Sequence, residues 1–475
     1  MGRRIARMRR ALGAALLMMG LAGPLAAQEP LTLNRDQAVL LARQAYMAGD
    51  YLLANQIARR ILTVLPEDPA ALLLFAATGP ELGEARLARQ SGAAAWALAG
   101  AGGAPDQFRY EIARHTAHAA LVEGRPMISE YWLRRAVDVA PDAAARGRST
   151  QDLRDLRARR KFSAQASLSL EPSTNLNAGS SGGLLLIDDS YYIGPISVTG
   201  QALSGLRLRY GGMLSWRLAP TAAGQTELSL SARGALHSLS PASRRAIAAD
   251  RMLSGSGFDS SDLNEFALEA GLRRSFALPW GPEGMAGQAG LSLGHDWAGG
   301  QALGPYVSAA LVLPVLAGPE GRLDLVARLR AQAPSTGSTT FARSLQIEAS
   351  HKLGPGQLRL GFGLAGQSRA GDINATYDQI TARIGYAIDR IGPFRIEALA
   401  IGSLRDQDDF RLGPLAVTDG RHDQRLDLSL TLGLPDKTFL GLEPQATLTG
   451  VRVRSNISRY TVDEVALGFG LAARF

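Results

Sequence analysis

The sequence predicts a two-part chain, an α-solenoid of paired helices followed by an antiparallel β-barrel that crosses a membrane. Three observations predict it. The spacing of apolar residues changes near residue 160 from three and four to two. Of 53 glycines, 40 lie beyond that point, as expected where strands and tight turns replace helices. The connections between the alternating segments are short on one side and long on the other, the asymmetry of a membrane barrel.

Composition bounds the rest. The chain has 475 residues, no cysteine and a formal net charge of +8. Without cysteine there is no disulfide framework, thiolate metal site, cysteine nucleophile or lipid-anchor thiol. Five of the positive charges (Arg3, Arg4, Arg7, Arg9 and Arg10) fall in the first ten residues, and no acidic residue precedes Glu29. An apolar run from Ala11 to Gly23 follows, then Pro24 and the small pair Ala26-Ala27. A basic start, a short apolar run and a small-residue exit describe a signal peptide over residues 1–27. The run is shorter than a spanning helix requires and is broken by three glycines and a proline. Removing the leader leaves 8 − 5 = +3, too little charge for an electrostatic nucleic-acid binder, and no nucleic-acid partner is expected.

Residues 31–160 read as helical. Asn34 and Asp36 offer a helix start, with Ala38, Leu41, Ala42 and Ala45 on one stripe. The turn Gly49-Asp50 leads to a second helix carrying Ala54, Ile57, Ala58, Ile61 and Leu62, which Pro66 stops. Gly124 precedes Pro141 by 17 residues, as Gly49 precedes Pro66, with Tyr131, Leu133, Ala136 and Val137 as the stripe between. The two copies stand 75 residues apart, leaving room for a degenerate middle unit around Glu81 to Ala99. Glycine for the turn, alanine for close helix approach and a closing proline resemble a tetratricopeptide repeat (TPR). The expected unit is therefore a periplasmic TPR-like α-solenoid with Gly49, Ala54, Pro66, Gly124 and Pro141 as its signature, and such arrays hold extended partner segments.

Residues 161–475 alternate. Leu426, Leu428, Leu430 and Leu432 interleave with Asp427, Ser429 and Thr431; Leu358, Leu360, Phe362 and Leu364 interleave with Arg359, Gly361 and Gly363. The expected strands are 161–171, 202–218, 224–237, 263–277, 283–297, 301–316, 321–334, 339–353, 356–368, 375–388, 393–405, 422–434, 443–455 and 460–475. Each matches or exceeds the 9–11 residues that cross a bilayer. Turns such as Gly354-Pro355-Gly356 and Gly392-Pro393 follow even strands, whereas odd strands are followed by the longest loops, 173–201, 238–262 and 406–421, which read as small and flexible. The fold class is α plus transmembrane β: the solenoid, then an antiparallel outer-membrane β-barrel of about 14 strands. Leu467, Phe469, Leu471 and Phe475 alternate along the last segment and resemble the C-terminal signal read by the barrel insertion machinery.

The polar faces carry both signs. Arg207, Arg209, Arg233, Arg273, Arg328, Arg330, Arg359, Arg383 and Arg474 share an interior with Glu227, Glu269, Asp324, Glu348 and Asp427. Their expected work is wall bracing by pairing, and a mixed lumen argues against export of a uniformly charged polymer. No catalytic constellation emerges. His115 and His118 share a helix face as metal ligands do, but nothing near them in sequence completes a site. No phosphate-binding glycine loop with its lysine exists either. No enzyme activity, cofactor or metal is expected.

At the end of the first strand stands Leu170-Glu171-Pro172-Ser173-Thr174-Asn175-Leu176-Asn177. It resembles the Pro-Asp-Ser-Asn-x-Asn segment that opens the barrel in the surface lipoprotein assembly modulator (Slam) family. Ser173 and Thr174 replace the family's aspartate and serine, while Pro172, Asn175 and Asn177 keep their places. The resemblance implies a translocator that carries specific lipoproteins, or related proteins, from periplasm to cell surface. Its implied partners are that client, outer-membrane lipid and the insertion machinery. A TPR-barrel exporter of an exopolysaccharide and a porin-like channel are the alternatives.

Overall fold

The structure, a computed structural model, describes residues 33–218, 221, 224–250, 257–279, 285–334, 337–435 and 442–472. The expected leader, Arg474 and Phe475 lie outside the described residues. The chain divides into two compact units, 1–154 and 155–475.

The first unit is built of consecutive helices: α1 (Arg35–Met47), α2 (Tyr51–Val64), α3 (Pro69–Thr78), α4 (Ala85–Ala101), α5 (Asp106–Val122), α6 (Pro126–Asp138) and α7 (Ala143–Arg159). Their starts follow from side chains that satisfy orphan amides. Asn34 and Gln37 form a reciprocal capping box on α1. Asp50 accepts the Leu53 amide at 3.0 Å and Asp68 the Ala71 amide at 2.9 Å, each cap worth about 1 kcal/mol. Gly49 and Gly124 turn the chain with φ of +82° and +79°, a conformation that costs other residues more. Gly83 takes the same conformation, φ +79°, before α4. It lies 83 − 49 = 34 residues beyond Gly49, one repeat length.

Alanines set the packing distance: Ala42, Ala54, Ala58, Ala88 and Ala95 are fully buried. Two apolar clusters hold the pairs together, one around Leu73, Ala95 and Ile112, the other around Ala42, Ala58, Leu74 and Phe75. The middle pair differs from the sequence reading. Its first helix, α3, is buried along its length, so it shows no amphipathic period, and only Asp68-Pro69 marks it. In α4 the buried residues are Ala85, Ala88, Gly92, Ala95 and Ala99, with Ala94 exposed. In α6 the ring that enters the core is Trp132, while Tyr131 is half-exposed under the Arg135 guanidinium, 4.3 Å from its ring centre.

The second unit is a closed antiparallel barrel of 14 strands. They are β1 (Phe162–Ser173), β2 (Gly205–Arg217), β3 (Gln225–Leu239), β4 (Glu265–Ala277), β5 (Ala286–Ala298), β6 (Gln301–Ala317) and β7 (Gly321–Gln332). Then come β8 (Thr340–Leu353), β9 (Gly356–Arg369), β10 (Tyr377–Ile391), β11 (Phe394–Gln407), β12 (Arg421–Gly433), β13 (Glu443–Ser455) and β14 (Val462–Ala472). Neighbours in sequence pair around the wall and β14 closes on β1. Register follows the pleat: Leu168, Leu170, Leu360, Phe362, Leu428, Leu430 and Phe469 point outward and are exposed by 42–58%. A continuous outward band of this kind is stable only against lipid.

The loops at one end are not flexible links. Between β1 and β2 a hairpin, Leu184–Ile187 paired with Tyr191–Pro195, packs Ile187 against Phe410, Val417 and Ile457 from two other loops. A second cluster joins Leu176, Leu203 and Leu239, with α8 (Pro241–Ala249) supplying Ile247. The signal was present in the apolar run Leu184-Leu185-Leu186-Ile187, which alternation within strands does not register. Ser254 to Ser256 lie outside the described residues.

Candidate functional site

The barrel closes where β1 meets β14, and this seam gathers the residues singled out from sequence. Ser167 to Leu170 pair with Ala472 to Phe469 in order; pairing then skips Glu171 and Pro172 and resumes with Ser173 opposite Ala466. Pro172 has no amide hydrogen to give the ladder, so a proline at this strand position interrupts it. On its other edge the same segment pairs without a break, Glu171 with Arg207 and Pro172 with Leu206. The weak point therefore belongs to the seam alone.

Side chains, with one main-chain bond, take over from the missing ladder bonds. Ser173 Oγ donates to Glu464 at 2.8 Å, Thr174 N–H to the Val465 carbonyl at 3.1 Å, and Val465 N–H to Thr174 Oγ1 at 2.9 Å. Asn175 is fully buried. Its amide nitrogen donates to the carbonyls of Gly179 at 2.9 Å and Asp463 at 3.2 Å, and its oxygen accepts the Gly179 amide at 2.9 Å. Asn177 donates to the carbonyls of Thr199 and Gln201 and accepts the Leu203 amide at 2.9 Å. Asparagine suits both places because one planar amide answers a carbonyl and an amide hydrogen at once. Ser180 and Ser458 continue the stitching, Ser180 Oγ donating to the Ser458 carbonyl and Ser458 Oγ to that of Leu184.

On the lumen side Arg207 stands between two carboxylates, 3.1 Å from Glu464 on β14 and 3.8 Å from Glu171 on β1. All three side chains are only 11–14% exposed. A single guanidinium thus ties the first, second and last strands behind the broken ladder. Sequence reasoning placed Arg207 in the lumen but missed Glu171 and Glu464 as its partners; Glu464 lies 257 residues away along the chain. No local pattern carries that proximity.

Of the C-terminal residues, Leu467, Phe469 and Leu471 lie on β14; Phe469 faces outward opposite Leu170, and Leu471 stands opposite Leu168. In the helical unit Gly49 and Gly124 form the tight turns, Ala54 is buried in α2, and Pro66 and Pro141 follow the ends of α2 and α6.

Elsewhere in the lumen opposite charges pair: Arg209 with Glu171, Arg330 with Asp296, Arg359 with Glu397, Arg383 with Glu348, Arg425 with Asp427, Arg322 with Asp324 and Arg217 with Glu227. Glu269 accepts the Tyr306 hydroxyl at 2.7 Å, and Arg328 donates to Gln346 at 3.0 Å. A cavity of about 680 Å³ lies along the wall nearest the seam, lined in part by Glu171, Arg209, Arg233, Glu265 and Asp296. Both signs meet there, an arrangement suited to a polar chain of mixed charge.

In the helical unit His118 meets Glu81 at 3.3 Å, while the His115 ring lies edge-on to Tyr46 at 5.8 Å. Burial holds the His115 imidazole neutral and lowers its pKa to about 4. Among the described residues no three metal-ligating side chains come together.

No protein-family model matches the chain, and no curated protein matches it. Among solved structures, the helical unit is similar to SycD, a type III secretion translocator chaperone of Yersinia enterocolitica. The two are 19% identical over 27% of this chain and 88% of the chaperone, with a TM-score of 0.23. PcrH of Pseudomonas aeruginosa, solved with the chaperone-binding region of PopD, is 22% identical over 27% of this chain and 96% of its own, TM-score 0.23. A loop-deletion mutant of OmpT, an outer membrane protein of Vibrio cholerae, is 9% identical over 66% of this chain and 99% of its own, TM-score 0.32.

Proposed function

We propose that this chain is an outer-membrane translocator that delivers specific lipoproteins or related proteins from the periplasm to the cell surface, with no chemistry of its own. The TPR-like unit lies in the periplasm and engages the client as an extended segment; the barrel gives it passage. The observation that carries this reading is the β1–β14 seam, where Pro172 breaks the ladder and the Ser173-Thr174-Asn175 segment and Arg207 close the wall instead. Such a closure rests mainly on side chains, which open without unravelling a strand. The lumen's paired charges suit a polypeptide of mixed sign better than a uniformly charged polysaccharide.

The test compares the surface proteomes of cells with and without the protein, by protease shaving of intact cells, to find the cargo. Cells carrying Asn175→Ala with Asn177→Ala are then measured at equal barrel abundance. Exposure of that cargo is expected to fall several-fold. Unchanged exposure with a normal amount of barrel would sink the proposal.

A further inference from the structure

The outward face of the barrel changes side-chain size between β9 and β13. On β9 and β12 the lipid-facing positions are large, Leu358, Leu360, Phe362 and Leu364, then Leu426, Leu428, Leu430 and Leu432. On β11 and β13 they shrink to Ala398, Ala400, Gly402 and Gly450. The result is a groove of about 490 Å³ walled by Ile384, Tyr386, Leu430, Leu448 and Val465, within the size range of small-ligand sites.

Glycine weakens a strand interior and in that position commonly marks close approach of something else. Neither Gly402 nor Gly450 takes a positive φ, and a Cβ on either would meet nothing within 4 Å. Nothing inside the chain therefore asks for glycine there. The outward space over both is open.

Above the groove, toward the loop-bearing end, the outward residues of β13 become Arg452 and Arg454. Arg452 Nε lies 2.8 Å from Asp463. Arg454, exposed and opposite Gln424, makes no ion pair among the described residues. His422 completes the rim with its own partner, Asp406, at 2.7 Å. Gly450 and Arg454 are four residues apart on one face, about 13 Å of strand. Acyl-sized space thus runs up to a cluster with an uncompensated guanidinium, the fork that matches phosphate.

We propose that this face binds one phosphorylated, acylated sugar lipid of the outer leaflet. One acyl chain lies over Gly450 and Ala400 in the groove, the phosphate is held by Arg454 and Arg452, and the Gln424 amide takes a sugar hydroxyl. The proposal rests on the barrel lying in the outer membrane with its loops outward, but not on any cargo, so it stands or falls apart from translocation.

The full chain, purified in detergent, is given a diphosphorylated acyl-glucosamine lipid, phosphatidylglycerol or diacylglycerol, and bound lipid is counted by native mass spectrometry. One glucosamine lipid per chain is expected, retained at least tenfold better than either of the others. Arg454→Gln and Gly450→Leu should each lower that retention about tenfold with the barrel still heat-modifiable on gels. Arg454→Gln alone decides if Gly450→Leu does not fold. Equal retention of phosphatidylglycerol or diacylglycerol, retention unchanged by Arg454→Gln, or a lipid-free dimer would each overturn it.

Discussion

Asn175 shows what one side chain does when a strand ladder stops. It is fully buried, and its amide serves two carbonyls and one amide hydrogen. Alanine there leaves those groups buried and unanswered, at about 1–3 kcal/mol for each that water cannot reach. Asn175→Ala should therefore lower the urea midpoint of the folded barrel, read from its heat-modifiable band, by more than Asn177→Ala, whose site is only part-buried. A different kind of residue effect belongs to His115. Its imidazole is neutral in the fold, with a pKa near 4, against about 6.5 in an open chain. The unfolded state thus binds the extra proton first, so the helical unit loses stability as pH falls below about 6.5, and the loss levels off near 4. Thermal melts of the full chain between pH 7.5 and 4.5 should show the helical transition falling, and His115→Phe should flatten that slope. The glycines of the repeat turns could be named from sequence because local backbone chemistry demands them, and Asn175 only through the resemblance of the segment it stands in. Glu464 could not, because its role comes from a residue on the opposite end of the barrel sequence.

Among elements, the strands were the most legible, since alternation against lipid repeats strictly; the expected span 443–455 matches β13, and 356–368 falls one residue short of β9. α3 escaped for the opposite reason: a helix buried on all sides has no periodic face to read. The seam is an element-scale feature and has an element-scale test. The chain has no cysteine, so a pair introduced by Leu170→Cys and Phe469→Cys is the only thiol pair present. Oxidation should link β1 to β14, leave the barrel folded and block cargo exposure, with recovery on reduction. The same linkage between Leu208→Cys on β2 and Leu236→Cys on β3 should change nothing, as that ladder is continuous. Equal loss from both cross-links would place the passage away from the seam.

At the scale of the whole molecule, the two units answer to different solvents: alanine-lined helix contacts in one, an outward leucine band in the other. Deleting residues 33–154 should leave a folded, heat-modifiable barrel but abolish surface display of its cargo, whereas a porin-like channel would keep its conductance with no cargo lost. The change of composition near residue 160 made this division visible; what it left unread was the packed crown of loops, built from short apolar runs rather than periodic ones. That crown is uneven. It rises over β1 to β4 and β11 to β14, yet between β5 and β6 the chain turns back on Gly299-Gly300 alone. The mouth therefore has a parapet on one flank and a doorstep on the other. A polypeptide emerging there would be shielded from proteases and antibodies on the seam flank while its first folded surface spilled over the low side, so under the proposed function the rim would set the direction in which a new surface protein takes its place among its neighbours.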